Sequence, residues 1–290
     1  MMEIVPQLIM NSLIAGAIYM MIALGFNLIF STVKFFDLGY GALTAVGGYS
    51  VFYLSNMLGF NVWLAILVGL IVAGLIGFFI DKLVYKQLRK RKASSMVFLV
   101  ASLGVFTAIQ AIIAILFSSQ FQTLSQNNAN EKIFQFFGAT VTGTQIIIFV
   151  SGLLVMSILG IILKTTKLGK AIRAVSDDEE VSKIVGIDSD KIIGKVFFIG
   201  SMIAGLAGIL VGFDTGIEPT MGFSLLLKGV IASIIGGIGN IYGGVLGAFL
   251  LGFVENFGIW KISGEWKDAI AFSLLIIFLL FRPNGILGKK

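Results

Sequence analysis

Few residues in this chain can do chemistry, and their types narrow it further. The 290 residues include no cysteine and no histidine, which removes disulfides, thiolate metal sites, Cys and His nucleophiles and the commonest general base. A charge inside an apolar stretch is costly enough to imply a role. The candidates are Lys228, with Asp214 and Glu218 just before it, and Glu255 beside Asn256. Lys228 sits about five residues into its stretch, so its stem either snorkels to the boundary or pairs with Asp214 or Glu218. Glu255 and Asn256 are read as interfacial. Asn11, Asn27, Thr44, Thr107 and Gln110 are uncharged and suit hydrogen bonds between helices. No series of buried carboxylates or histidines is present to relay protons or sodium, as secondary carriers require. Neither catalysis by this chain alone, nor a metal, nor a nucleic-acid partner is expected.

The densest polar segment spans residues 164–190. Ser176, Asp177, Asp178 and Glu179 match a capping box with Ser176 as cap, predicting a short helix that runs to about Val185 and stops at Gly186. The acids Asp177, Asp178, Glu179 and Glu180 complement the positive end of such a helix. Asp188 or Ser189 can cap the helix that follows. Two short capped helices on one face suit the cleft of a soluble partner. A solvated connector fits the charges equally well, although about thirty residues exceed what a connection needs.

The elements that must position these groups are set by composition. Apolar residues make up 57% and charged residues 12%, against about 25% charged in a soluble domain, so the chain is an integral membrane protein. Apolar windows of about 20 residues, enough to cross the hydrocarbon, fall near 5–30, 38–54, 62–80, 96–117, 144–163, 196–213, 223–235, 241–257 and 269–281. The windows at 38–54 and 223–235 are short or glycine-rich, so either can be a broken or re-entrant helix. The expected architecture is an all-α polytopic bundle of about eight to ten transmembrane segments, one permease-like domain over 1–290 with an insert at about 164–195. The first window contains Asn11 and Asn27 and has no basic residue before it, so it reads as a span and not a signal peptide.

Basic residues set sidedness. Sixteen of the 21 Lys and Arg lie in three places: after the third window (Lys82, Lys86, Arg89, Lys90, Arg91, Lys92), in and just after the insert (Lys164, Lys167, Lys170, Arg173, Lys183, Lys191, Lys195), and in the tail (Arg282, Lys289, Lys290). Nine crossings put all three in the cytoplasm and the amino terminus, with Glu3, outside. The outer connections differ: residues 118–143 are amide-rich (Gln120, Gln122, Gln126, Asn127, Asn128, Asn130), and 214–222 carry only acids.

Small residues recur every fourth position at Gly69, Ala73 and Gly77, at Gly200, Ala204, Gly208 and Gly212, and at Gly244, Ala248 and Gly252. Such stripes let helix backbones approach closely in lipid, as static seams or as surfaces that slide. Gly236, Gly237, Gly239 and Asn240 lie between two apolar windows, without the strand and distal acid of a dinucleotide site, and read as a tight turn between packed helices.

At this point the chain resembles a known family, the membrane subunits of ABC importers for branched-chain amino acids, LivH type. The likeness rests on ALGFNLIF (23–30), FDLGYGA (36–42), LGKAIRAVSDDEE (168–180), VGID (185–188), FDTGIEPTMGFSLLLKG (213–229), GGIGN (236–240), EWKDAIAF (265–272) and FRPNGILG (281–288), in family order over nearly the whole length. It implies an ABC importer permease fold in the cell membrane, a second related permease, two cytoplasmic ATPases that hold the ATP and Mg, and an extracytoplasmic solute-binding protein. No cofactor is then bound by this chain. The resemblance also implies that the insert holds the coupling helix received by the ATPase, giving Arg173, Ala174, Ser176, Asp177, Asp178, Glu179, Glu180 and Gly186 as coupling residues. Asn27, Tyr40, Asp214, Glu218 and Lys228 are the candidates for the translocation path or gate. One departure stands out: where the family often has an Asn-Phe-Ala-His-Gly sequence, this chain has Tyr40 in the histidine position. Relatives handle branched-chain amino acids, urea and short amides, and an ATP-independent channel or carrier for a small neutral solute is the alternative.

Overall fold

The computed structural model describes residues 4–124, 133–136 and 138–288. Glu3, Gln126, Asn127, Asn128, Asn130, Lys289 and Lys290, on which part of the sidedness and loop reading rests, lie outside the described residues. Lipid offers the backbone no hydrogen-bond partner, so each apolar window must satisfy its own amides as a helix. All nine windows do so. The helices are α1 (Val5–Val33), α2 (Gly39–Val51), α3 (Val62–Ile80), α4 (Lys86–Lys90), α5 (Ser95–Phe117), α6 (Gly143–Thr165), α7 (Lys167–Asp177), α8 (Glu179–Ile184), α9 (Ser189–Asp214), α10 (Met221–Gly236), α11 (Ile241–Ile259) and α12 (Lys267–Phe281).

Six of the described helices are long and apolar enough to cross a membrane: α1, α3 continued through α4, α5, α6, α9 and α11. The remaining three windows give short helices of 13, 16 and 15 residues, α2, α10 and α12. α2 is extended by a π-helical turn over Phe52–Met57. The expected eight to ten segments therefore resolve into six full-length helices and three short ones. The reading of 38–54 and 223–235 as shortened windows agrees with this.

One expectation needs correction. The basic run after the third window is not a loop, because α3 continues through a π-helical turn, Asp81–Tyr85, into α4. Lys82, Lys86, Arg89 and Lys90 are thus carried on a helix, where long aliphatic stems keep their charges at the boundary. The all-α reading holds, with one small β element among the described residues. The connection after α5 contains a hairpin of β1 (Ile133–Phe136) and β2 (Ala139–Thr142), antiparallel with Ile133 opposite Thr142. Gly138 turns it with φ +86°. Gln122 and Ile217 exchange backbone hydrogen bonds of 2.9 and 2.8 Å, joining this connection to the one after α9.

The small-residue stripes are seams. On α3, Ala65, Gly69, Ala73 and Gly77 are buried, while Leu67, Ile71, Leu75 and Phe79 are exposed. Each set repeats every four residues, so a thin face turns inward and a bulky one toward lipid. α9 lies at the centre against α1, α2 and α3. There a methyl group on Gly208 would overlap the carbonyl of Thr44, and one on Gly47 would overlap the backbone of Gly205. Gly208→Ala should therefore destabilise the fold by about 1–3 kcal/mol. Gly104, with open space around the place of a Cβ, is the control. Unfolding midpoints in detergent are the measure, and equal midpoints for the two alanine variants would show that the seam relaxes freely.

Candidate functional site

The insert leaves α6 at Thr166, whose hydroxyl accepts from Gly169 N–H at 3.0 Å and starts α7. Gly169, Ile172 and Val175 form the buried face of α7, a spacing of three that holds the helix against the bundle. This packing carries α7 on to Asp177, past the point where a capping box at Ser176 would have ended it. Ser176 consequently lies inside the last turn of α7 and caps nothing, contrary to the sequence reading. The cap of α8 is Asp178, whose Oδ1 accepts from Glu180 N–H at 2.8 Å and Val181 N–H at 3.0 Å. Glu179 and Glu180 fall in the favourable first turn of α8, whereas Asp177 ends α7 at the unfavourable negative end. α8 ends at Ile184 after six residues, with Gly186 at φ +87°, close to the expected point. Asp188 caps α9 by accepting from Lys191 N–H at 3.1 Å. The Lys191 side chain also hydrogen-bonds Asp188 and holds that carboxyl below its ordinary pKa.

The outward side of α8 is apolar. Val181, Ile184 and Val185 are 53%, 83% and 69% exposed, and their i, i+3, i+4 spacing places them on one stripe. Glu180 and Lys183, both exposed, flank it, and Lys183 pairs with Glu179 at 2.6 Å. Arg173 is exposed on α7 and Ala174 is half-buried behind it. Arg173, Ser176 and Asp177 line a cavity of about 710 Å³ shared with Lys34, Lys164 and Tyr242. Asn240 also lines this cavity, so the turn between α10 and α11 lies on the insert side of the bundle.

That turn is built as expected. Gly237 and Gly239 take φ +111° and +79°, and Asn240 caps α11 by accepting from Tyr242 and Gly243 N–H. Asn27 holds the turn to α1. Its Oδ1 accepts from Gly239 N–H at 3.0 Å, and its Nδ2 donates to the Asn240 carbonyl at 3.4 Å. Asn27 is fully buried, so it serves as an interhelical tie. Asn27→Ala should cost about 1–3 kcal/mol through the N–H left unpaired, read as a lowered unfolding midpoint; an unchanged midpoint would remove this tie. Tyr40 is also fully buried, its hydroxyl donating to the Ile22 carbonyl at 3.2 Å.

The membrane charges are arranged differently from the sequence reading. Lys228 pairs with neither Asp214 nor Glu218, nor does it snorkel. It is 7% exposed and its Nζ lies 2.5 Å from Glu255 Oε1 and 2.8 Å from Asp268 Oδ1. Glu255 is not interfacial but fully buried. It accepts a 2.6 Å hydrogen bond from the Tyr19 hydroxyl and has Lys267 Nζ at 3.7 Å. The cluster joins α1, α10, α11 and α12, about 22 Å along α11 from Asn240 at the helical rise per residue. Opposite charges on two consecutive apolar helices were the signal for it. Asp214 ends α9, and Glu218 is exposed in the following connection, where it accepts from the Thr220 hydroxyl at 2.7 Å.

A second network went unnoticed in the sequence. Asp81, buried at the start of the π turn, accepts from Arg89 Nη1 at 2.7 Å. Asp190 of α9 has Lys86 Nζ at 3.1 Å and Arg89 Nη2 at 3.6 Å. One turn along the same face, the Tyr85 hydroxyl donates to buried Asp37 at 2.6 Å.

Residues 8–279 match the family described as branched-chain amino acid transport system / permease component. The chain is 32% identical to the high-affinity branched-chain amino acid transport system permease protein BraD of Pseudomonas aeruginosa, over 98% of this chain and 95% of that one. It is 29% identical to LivH of Escherichia coli over the same shares. LivM of Escherichia coli, a second permease protein of the same type, is 23% identical over 93% of this chain and 68% of its own length. Among solved structures, PsaBC from Streptococcus pneumoniae in complex with Fab shares the fold, with a TM-score of 0.54 at 14% identity over 94% of this chain and 91% of that one. The chain is a multi-pass membrane protein and belongs to the family of permease components of branched-chain amino acid transport systems.

Proposed function

We propose that this permease moves branched-chain amino acids across the cell membrane as one half of an ABC importer. Its partners are a second, related permease, two cytoplasmic ATPases received by the insert, and an extracytoplasmic binding protein. The observation that carries the reading is the stripe of Val181, Ile184 and Val185 on α8. An exposed apolar stripe rimmed by charge, in a segment that leaves the membrane, is suited to burial against a soluble protein. ATP and Mg belong to the ATPases, and this chain carries no hydrolytic site. The insert and the tail face the cytoplasm and the amino terminus lies outside.

The loaded binding protein docks on the connections joined by Gln122 and Ile217 and delivers solute between the two permeases. Closure of the ATPases presses on α7 and α8 and tilts α9, which is continuous with them through only four residues. An amino-acid zwitterion needs hydrogen bonds and helix ends more than fixed charges, consistent with Tyr40 and Asn27 being neutral and the Lys228 cluster being internally paired. Co-purification in mild detergent, with an ATPase assay in the presence of the binding protein and leucine, is the test. ATPase subunits and leucine-stimulated hydrolysis are expected. A chain that purifies alone and passes urea or an amide into liposomes without ATP would replace the importer with a channel or carrier.

A further inference from the structure

The ion network at the insert side spans three elements that the importer reading leaves unconnected. Asp190 is the second residue of α9, five residues beyond the exposed Val185. It reaches across to Lys86 and Arg89, which sit on the continuation of α3. Arg89 in turn holds Asp81, and Asp81, Tyr85 and Arg89 recur every four residues along one face through the π turn. Tyr85 passes the connection on to Asp37, two residues before α2, and packs on Phe35 and Phe197 with ring centroids 5.1 and 5.5 Å away. A π turn inside an otherwise regular helix often marks a functional site.

The geometry has slack in one place. Nε and Nη2 of Arg89 are buried and make no hydrogen bond, and Nη2 stands 3.6 Å from Asp190, too far to count as one. A shift of the start of α9 by under about 1 Å would close that gap. Asp190 can therefore move between Lys86 and Arg89 while Arg89 keeps Asp81, which gives the network two arrangements of similar chemistry.

We propose that Asp190 and Arg89 are the positioning residues that carry displacement of the insert into α3 and, through Tyr85 and Asp37, to the start of α2. This rests on the reading of the insert as the element received by the ATPases. A purely static staple would hold the same atoms together but would have no effect on coupling once the fold is intact.

The test uses the assembled transporter in liposomes, with ATP hydrolysis and leucine uptake measured on the same preparation. Asp190 is one-third exposed, so Asp190→Asn leaves the buried Arg89–Asp81 pair in place. It should assemble and hydrolyse ATP while leucine moved per ATP falls about tenfold, within the range for residues that carry coupling between sites. Asp190→Glu, which keeps the carboxylate, should restore the ratio. Arg89→Gln should lower it as well, with co-purified ATPase as the check on folding. If Asp190→Asn keeps the wild-type ratio, or loses hydrolysis and uptake in proportion, or fails to assemble, the network is only a staple and the inference is wrong. A wild-type complex without ATP-dependent leucine uptake would instead overturn the importer reading, and this inference with it.

Discussion

Lys228→Met is expected to lower the stability of the permease by about 3–5 kcal/mol, the cost of removing one partner from a buried ion pair. Glu255 is the reason. It is fully buried, and in the variant its remaining neighbours would be the Tyr19 hydroxyl and Lys267 at 3.7 Å. Asp268 is 69% exposed in its side chain and is left to water. The larger part of the effect is thus a stranded carboxylate and not the loss of a favourable pair. Adding Glu255→Gln removes that charge while keeping an acceptor for Tyr19, so the double variant should be more stable than Lys228→Met alone. Unfolding midpoints in detergent for the two single variants and the double give the coupling directly. A Lys228→Met protein as stable as the wild type would mean that water reaches Glu255, and the cluster would lose its structural importance. Uptake should fall with α10 no longer tied to α11 and α12.

Reversing both acids, Asp177→Lys with Asp178→Lys, is expected to reduce ATP-driven uptake by more than about tenfold, comparable to a coupling loss of a few kcal/mol at most, with insertion into the membrane unchanged. The two positions act for different reasons. Asp178 caps α8, and losing a cap costs about 0.5–2 kcal/mol, which a helix of six residues cannot supply from its own backbone. Asp177 lies at the negative end of α7, so Asp177→Lys alone should firm that helix by about 0.3–1 kcal/mol. Loss of uptake in that single variant would therefore report a lost contact with the ATPase and not a melted helix. Asp178→Asn retains the cap and should remain close to wild type. If the double reversal leaves leucine uptake and stimulated hydrolysis intact, the insert is a connector.

The spans were legible because lipid leaves an apolar window one way to satisfy its backbone. The same physics made Asn240, Gly237 and Gly239 readable as a turn. Phase within the insert was harder. Ser176 and Asp178 are both able caps, and what selects Asp178 is the tertiary packing of Ile172 and Val175, which holds α7 helical past Ser176. Sequence proximity offers Lys228 only the boundary or Asp214 and Glu218, yet a helix brings residues together across a bundle. Its partner Glu255 is 27 positions away. The hairpin at Ile133–Phe136 and Ala139–Thr142 had its own marks, β-formers on either side of Gly138, overshadowed by the amides before it. Arg89 enters the sequence reading only through sidedness, and Asp81 and Asp190 do not enter it, since counting basic residues says nothing of which acids they meet.

The close approach of α9 to α2 at Gly205 and Gly208 has a mechanical corollary. No side chain lies between the backbones at that crossing, so rotamer changes have nothing there to absorb. The crossing is a fulcrum. From it α9 extends about 26 Å to Ser189 and about 11 Å to Asp214 at 1.5 Å per residue, arms in a ratio of roughly two to one. A swing of the end attached to the insert is returned at the opposite end reversed in direction and halved in amplitude. In the proposed importer the helix would thus work as a reducing lever, trading a broad stroke at the insert for a smaller and more forceful one at its opposite end.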